Sequence, residues 1–164
     1  MIVSAANLQR AYPAVAIEVQ NELGIEGFAY DMMVGCSAST FGINNAYSDI
    51  KAGKSSKILV ISPEITSGHN NFKNRDGHFI FGDICTAVVI EKDSQSKNKF
   101  KILDTKLKTS FSNNIRNNYG YMNAIEDKEY SESELLFVQN GRRVFKEVMP
   151  LSLIHIWRCR RGCQ

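Results

Sequence analysis

No apolar run in the chain approaches the roughly 18 residues that a membrane helix needs, so no membrane partner is expected. The opening residues, Met1-Ile2-Val3-Ser4-Ala5-Ala6-Asn7, lack the charged start and apolar core of a signal peptide. A charge excess is missing too. Lys and Arg number 20 against 17 Asp and Glu, and Arg158, Arg160 and Arg161 lie within the last 14 residues. Without those three, basic and acidic residues balance at 17 each, which gives no electrostatic footprint for a nucleic acid. Cysteine is scarce: Cys36 and Cys85 stand in the body, Cys159 and Cys163 in the tail. Two thiols over such a length suit a reducing cytoplasm better than a disulfide scaffold. No Cys/His pair in the body has ligand spacing, so no metal is expected. Internal repeats and low-complexity tracts are absent. What remains is a globular composition, 43% hydrophobic and 23% charged, of a length that fits one ordinary domain.

The pattern alternates strands and helices. Val3 to Ala6 reads as a short strand. Pro13 opens a helix with Val15, Val19 and Leu23 at turn-like spacing and Gly24 behind its last periodic residue. Ala29 to Val34 is an apolar run between Gly27 and Gly35, consistent with a buried strand. Cys36 to Ala52 reads as a helix with few charges, buried between two strands, with Ala38, Phe41, Ala46 and Ile50 near one face and Gly53 as its stop. Lys57 to Ile61 is the next strand. Residues 63–78 form a long polar loop of the kind that carries function. Phe79 to Phe81 and Ile84 to Glu91 read as strands, and Phe100 to Thr109 alternates like a half-exposed strand. Residues 110–133 look like a connecting excursion, and a last helix starts near Gly141 and stops at Pro150. This order predicts an α/β layered fold with a mixed sheet.

Residues 151–161, LSLIHIWRCRR, resemble the translated end of a sequencing adapter, with Trp157 in the place of its stop codon. The plainer reading is a basic C-terminal helix or tail. On the first reading His155, Cys159 and Cys163 carry no chemistry, and residues 151–164 are excluded from fold reasoning.

The chemical centre is Gly35-Cys36-Ser37-Ala38-Ser39-Thr40-Phe41-Gly42, which follows a strand and opens a helix. First-turn amides are unsatisfied there and the helix dipole is positive, which stabilises a thiolate. Such a thiolate attacks a thioester and becomes acylated. A cysteine is equally at home as a small buried hydrophobe, and position alone leaves both readings open. Cys85, mid-strand in ICTAVVI with no helix end beside it, reads as structural.

Four stretches resemble, in order, the β-ketoacyl-acyl-carrier-protein synthase III family of thiolase-fold condensing enzymes. They are Tyr12-Pro13 with the helix ending Leu23-Gly24-Ile25; GCSASTFGI around Cys36; Arg75 through Phe81-Gly82-Asp83; and Asn140-Gly141-Arg142-Arg143-Val144-Phe145-Lys146. The resemblance implies a thiolase-like αβαβα layered fold, incomplete here. Residues 1–139 would be most of its N-terminal half and 140–150 the first helix of its C-terminal half. It implies a homodimer that takes an acyl group from acyl-coenzyme A onto cysteine, with no cofactor. The acyl group is then condensed with malonyl-acyl-carrier-protein, with loss of carbon dioxide. By matching position, Cys36 is the nucleophile, Arg75 contacts the coenzyme A adenine, and Tyr12 reaches into the partner's acyl pocket. A solvated loop charge and ordinary packing are the plainer readings of Arg75 and Tyr12. Ile84-Cys85-Thr86 departs from the family's small residues and suggests a different acyl preference. The family's catalytic histidine and asparagine come after the helix at Gly141, beyond this chain. His69 and His78 fall on the wrong side of the motif order and read as loop residues. Other thiolase-fold acyltransferases, of polyketide-starter or hydroxymethylglutaryl-coenzyme-A-synthase type, and a non-catalytic remnant are the competing readings.

Overall fold

The computed structural model describes residues 1–92 and 95–161, with side chains for all of these except 121, 122 and 152–161. They form two compact units, residues 1–65 with 82–109 and residues 66–81 with 110 onward.

The first unit is built on β1 (Ile2–Ala5), α1 (Val15–Glu22), β2 (Tyr30–Met33), α2 (Ala38–Lys51), β3 (Lys57–Glu64) and β4 (Ile84–Glu91). The strands run in the order β2-β1-β3-β4. β1 pairs parallel with both β2 and β3, while β3 pairs antiparallel with β4 from Lys57↔Glu91 to Glu64↔Ile84. Alternation along β1 and β3 sends side chains to both faces, and each face has a helix to cover it. Ile2, Ile58 and Val60 pack with Ala46 of α2, supported by Met32, Ile50 and Ile90. Val3 and Met1 pack with Ala16 of α1, supported by Val15, Val19, Leu59 and Ile61. The unit is therefore a sheet sandwiched between α1 and α2, with β1 at its centre. Burying each of Ile2, Val3 and Val60 contributes about 1.5–3 kcal/mol.

The second unit holds β5 (Ile115–Asn117) and β6 (Phe137–Gln139) as an antiparallel pair, with α3 (Glu132–Leu135) and α4 (Gly141–Arg161). The Phe137 amide donates to the His69 carbonyl, and Phe81 packs edge-on against Phe137 at 5.1 Å.

Several expectations shift. Phe79–Phe81 is a turn, not a strand: the Ile80 amide donates to the Gly77 carbonyl, which curls the backbone away from any ladder. Phe100–Thr109 forms no strand, and Phe100 is wholly exposed. Alternation supplies two faces but no neighbour, and nothing among the described residues pairs with it. β2 is an edge strand with partly exposed side chains, not a buried one, because only β1 flanks it. The helix expected to be buried hides only Ala38, Gly42 and Ala46, since the sheet covers a single face of it. The connecting excursion carries β5 and α3. α4 runs through Pro150 to Arg161: a proline removes one backbone donor and one helical bond, which interrupts a helix without always ending it.

Candidate active site

Three parallel strands, β2, β1 and β3, end at the same edge of the sheet, and the connection after β2 carries Cys36. In open α/β sheets the carboxyl ends of parallel strands are where ligands bind. β2 stops at Met33, and the Val34 amide donates to the Ala5 carbonyl at 3.4 Å. Gly35 then takes φ +52°, a left-handed conformation that a side chain would strain. Gly35–Ser37 make one tight helical turn, the Ala38 amide donating to the Gly35 carbonyl, and α2 starts at once. Cys36 therefore sits in the turn before α2 and does not open the helix itself. Its thiol is exposed. The positive end of the α2 dipole lies behind it, the polarity that a thiolate nucleophile needs.

The far side of the turn is anchored as well. The hydroxyl of Ser4, fully buried on β1, donates to the Ala38 carbonyl. Gly42, one turn further along α2, meets the same serine: a Cβ at position 42 would lie 2.9 Å from Ser4 Cβ and 3.0 Å from Val60 Cγ1. At the end of β1 the Ala6 amide donates to both carboxylate oxygens of Glu64, at 3.0 and 3.1 Å.

Tyr12 shares this unit. It is 83% exposed and joined to Pro13 by a cis peptide bond. The α1 helix behind it has no side-chain cap from Ala14. Its first amides, Val15 and Ala16, donate instead to the Asp31 carboxylate on β2 at 2.8 and 2.7 Å. Asp31 thus ties the start of α1 to the strand that leads into Cys36. Arg75 is exposed in a turn of the second unit. His69 and His78 belong to that unit too. His78 Nδ1 is 3.1 Å from the Asn74 carbonyl and its ring stands edge-on to Phe79. The His69 ring leans on Phe137, with Nδ1 buried and unpartnered. Cys85 is the second residue of β4, opposite Pro63, and is exposed where a structural thiol was expected, because nothing among the described residues covers that stretch of β4. Among the described residues no group of three or more His, Cys, Asp or Glu could hold a metal ion. No helix there is long and apolar enough to cross a membrane.

A family model for 3-oxoacyl-[acyl-carrier-protein] synthase III matches residues 30–110, a span that runs from β2 through Cys36 and Arg75. The likeness to this family covers just under half of the chain. A β-ketodecanoyl-[acyl-carrier-protein] synthase of Pseudomonas aeruginosa is 53% identical over 153 residues, covering 92% of this chain and 44% of that protein. A β-ketoacyl-[acyl-carrier-protein] synthase III of Agrobacterium fabrum is 35% identical over 92 residues, 56% of this chain and 28% of that one. The chain thus spans less than half the length of the relatives it matches. A crystal structure of a 3-oxoacyl-(acyl carrier protein) synthase III from Pseudomonas aeruginosa superposes with TM-score 0.74 at 19% identity, over 89% of this chain and 45% of that one. That of Aquifex aeolicus superposes with TM-score 0.65 at 27% identity, over 88% and 42%. The fold is that of the synthase III family, thiolase-like and present in part.

Sequence reasoning singled out the cysteine and gave no role to Ser4, which donates to Ala38, or to Glu64, which accepts from Ala6. Ser4 and Glu64 sit at strand ends, where a polar residue reads as ordinary punctuation. Asp31 offered a signal: it is the one charge inside an otherwise apolar run. A carboxylate there needs a partner, and a helix start is a common one.

Proposed function

We propose that this chain is the nucleophile-bearing part of a synthase III enzyme whose Cys36 takes an acyl group from acyl-coenzyme A. The observation that carries the reading is the placement of Cys36: an exposed thiol on a constrained turn, at the positive end of α2 and the carboxyl edge of the parallel strands. In the reaction the Cys36 sulfur attacks the thioester carbonyl, the bond from carbon to the coenzyme A sulfur breaks, and the thiol proton passes to the departing coenzyme A thiolate. No cofactor takes part. The relative at 53% identity is named for a ten-carbon ketoacyl product. Two of those carbons come from the malonyl unit, so the donor proposed here is an eight-carbon acyl-coenzyme A rather than acetyl-coenzyme A. Arg75 is assigned to the adenine end of coenzyme A and Tyr12 to the acyl pocket of a partner subunit. The whole enzyme acts in the cytoplasm as a homodimer and hands the acyl group to malonyl-acyl-carrier-protein.

Condensation needs groups that stabilise the enolate left when carbon dioxide departs. In the family those are a histidine and an asparagine beyond the helix at Gly141, and the chain spans 44% of its 53%-identical relative. The 164-residue chain is therefore expected to acylate without condensing. The test is incubation with octanoyl-coenzyme A, intact mass, and mapping of the modified residue. One octanoyl group on Cys36, absent in Cys36→Ala, is the expected result. An unmodified chain marks a non-catalytic remnant and overturns the reading. Malonyl-dependent carbon dioxide release above the Cys36→Ala background overturns the second statement.

A further inference from the structure

The turn that carries Cys36 is held from both sides by one strand, and that strand is itself pinned. Before the turn, Val34 hangs from the Ala5 carbonyl; after it, the Ala38 carbonyl accepts the Ser4 hydroxyl. Ser4 and Ala5 are consecutive residues of β1, so the position of the thiol follows the position of the end of β1. The parallel ladder between β1 and β3 stops at Ile2↔Val60 and Val3↔Ile61, leaving Ser4 to Ala6 beyond its last rung. What joins the end of β1 to β3 is a side chain. Glu64, the last residue of β3, receives the Ala6 amide on both carboxylate oxygens, and the Asn7 side-chain amide donates to the next carbonyl, Ile65, at 3.4 Å. A carboxylate that accepts a backbone N–H makes a stronger bond than a neutral acceptor, so this is the firmest tie at that corner.

We propose that Glu64 is a positioning residue for the acyl-accepting thiol, acting through Ala6 and the end of β1 on both flanks of the Cys36 turn. It does not touch substrate. Its carboxylate fixes the height of Ser4 and Ala5 against β3, and these fix Val34 and Ala38. The inference rests on the reading of Cys36 as acyl acceptor. Misplacing a reacting atom by about 1 Å costs on the order of a hundredfold in rate. The effect falls on the chemical step, because the groups that bind coenzyme A are untouched.

The experiment uses the 164-residue chain and octanoyl-coenzyme A, following acyl mass on Cys36 to obtain the saturating rate and the half-saturating concentration. Glu64→Ala is expected to lower the saturating rate about tenfold or more with half-saturation within about twofold, the pattern of a lost orientation and not of lost binding. Glu64→Gln keeps an acceptor oxygen for Ala6 and is expected to restore most of the rate. Should Glu64→Ala lose the native circular dichroism, Glu64→Asp withdraws the carboxylate by one methylene and carries the same comparison. A saturating rate unchanged in Glu64→Ala or Glu64→Asp, or a Glu64→Gln no better than Glu64→Ala, overturns the proposal. Hydrogen exchange separates this failure from failure of the acyl-acceptor reading. If the wild-type chain takes up no acyl group, faster exchange at the Val34 and Cys36 amides in Glu64→Ala still supports the clamp, and unchanged exchange overturns it.

Discussion

Gly42 marks how closely α2 lies on the sheet. The helix buries Ala38, Gly42 and Ala46 at four-residue spacing, and at the middle position even a methyl group would press on Ser4 and Val60. Alanine would gain up to about 1 kcal/mol of helix propensity over glycine. Overpacking a tight contact costs about 1–3 kcal/mol, and the neighbours here are a strand's Cβ and a buried valine methyl, neither of which can swing aside. Gly42→Ala is therefore expected to be destabilised by about 1–2 kcal/mol in urea unfolding, and Gly42→Val by more. Gly42→Ala should also slow Cys36 acylation, because the displaced partner is the serine that holds Ala38. A Gly42→Ala chain as stable as wild type would show that α2 shifts freely on the sheet. The family resemblance reached Gly42 as part of a motif. That it needs the space rather than the backbone freedom became visible only with Ser4 facing it.

Among the elements, α1 depends on a group from outside itself. Eight residues are too few for a helix to stand alone, and Ala14 offers no cap. Asp31 supplies one from β2 with two short bonds. Asp31→Ala is expected to cost about 1–2 kcal/mol in urea unfolding and Asp31→Asn clearly less, since one acceptor oxygen remains. Equal losses would mean that the charge, and not the hydrogen bonds, anchors the helix. In the second unit the Glu134 carboxyl is held below the usual glutamate range by the Ser131 backbone amide first, then by the Ser131 hydroxyl and Lys128. A folded value below the unfolded one stabilises above the unfolded range, and that contribution is lost as the pH falls through the folded value. The cap of α3 should therefore hold at neutral pH and release only below the ordinary glutamate range of about 4.3, seen in the Ser131 amide resonance. Glu134→Gln should flatten that titration; an unchanged one would place its cause elsewhere. Elements with a local period were legible in advance: α1, α2 and β3 follow the spacing of their apolar residues, and positive-φ glycines, Gly24 and Gly53, stand behind the two helices. Phe79–Phe81 and Phe100–Thr109 were not, because a strand is defined by a partner and neither has one among the described residues.

At the scale of the whole molecule the first unit is well packed on one side of its sheet order and bare on the other. β4 is paired with β3 yet exposes Ile84, Val88 and Val89, and Phe100 and Leu103 follow it uncovered. Apolar area of this extent drives association. The chain is expected to bind a hydrophobic dye such as anilinonaphthalene sulfonate and to self-associate in sedimentation, and Val89→Lys should reduce both. A dye-silent monomer would contradict this. By itself the sequence determined that a strand precedes Cys36 and a helix follows it, the neutrality of the body and the family motifs, because these rest on local period, composition and spacing. The tertiary structure alone decided that β1 lies between β2 and β3. It therefore decided that Ser4, Ala5 and Glu64, far from Cys36 in the chain, set where its thiol stands: hydrogen bonds between strand ends depend on sheet order and register, which no local pattern encodes.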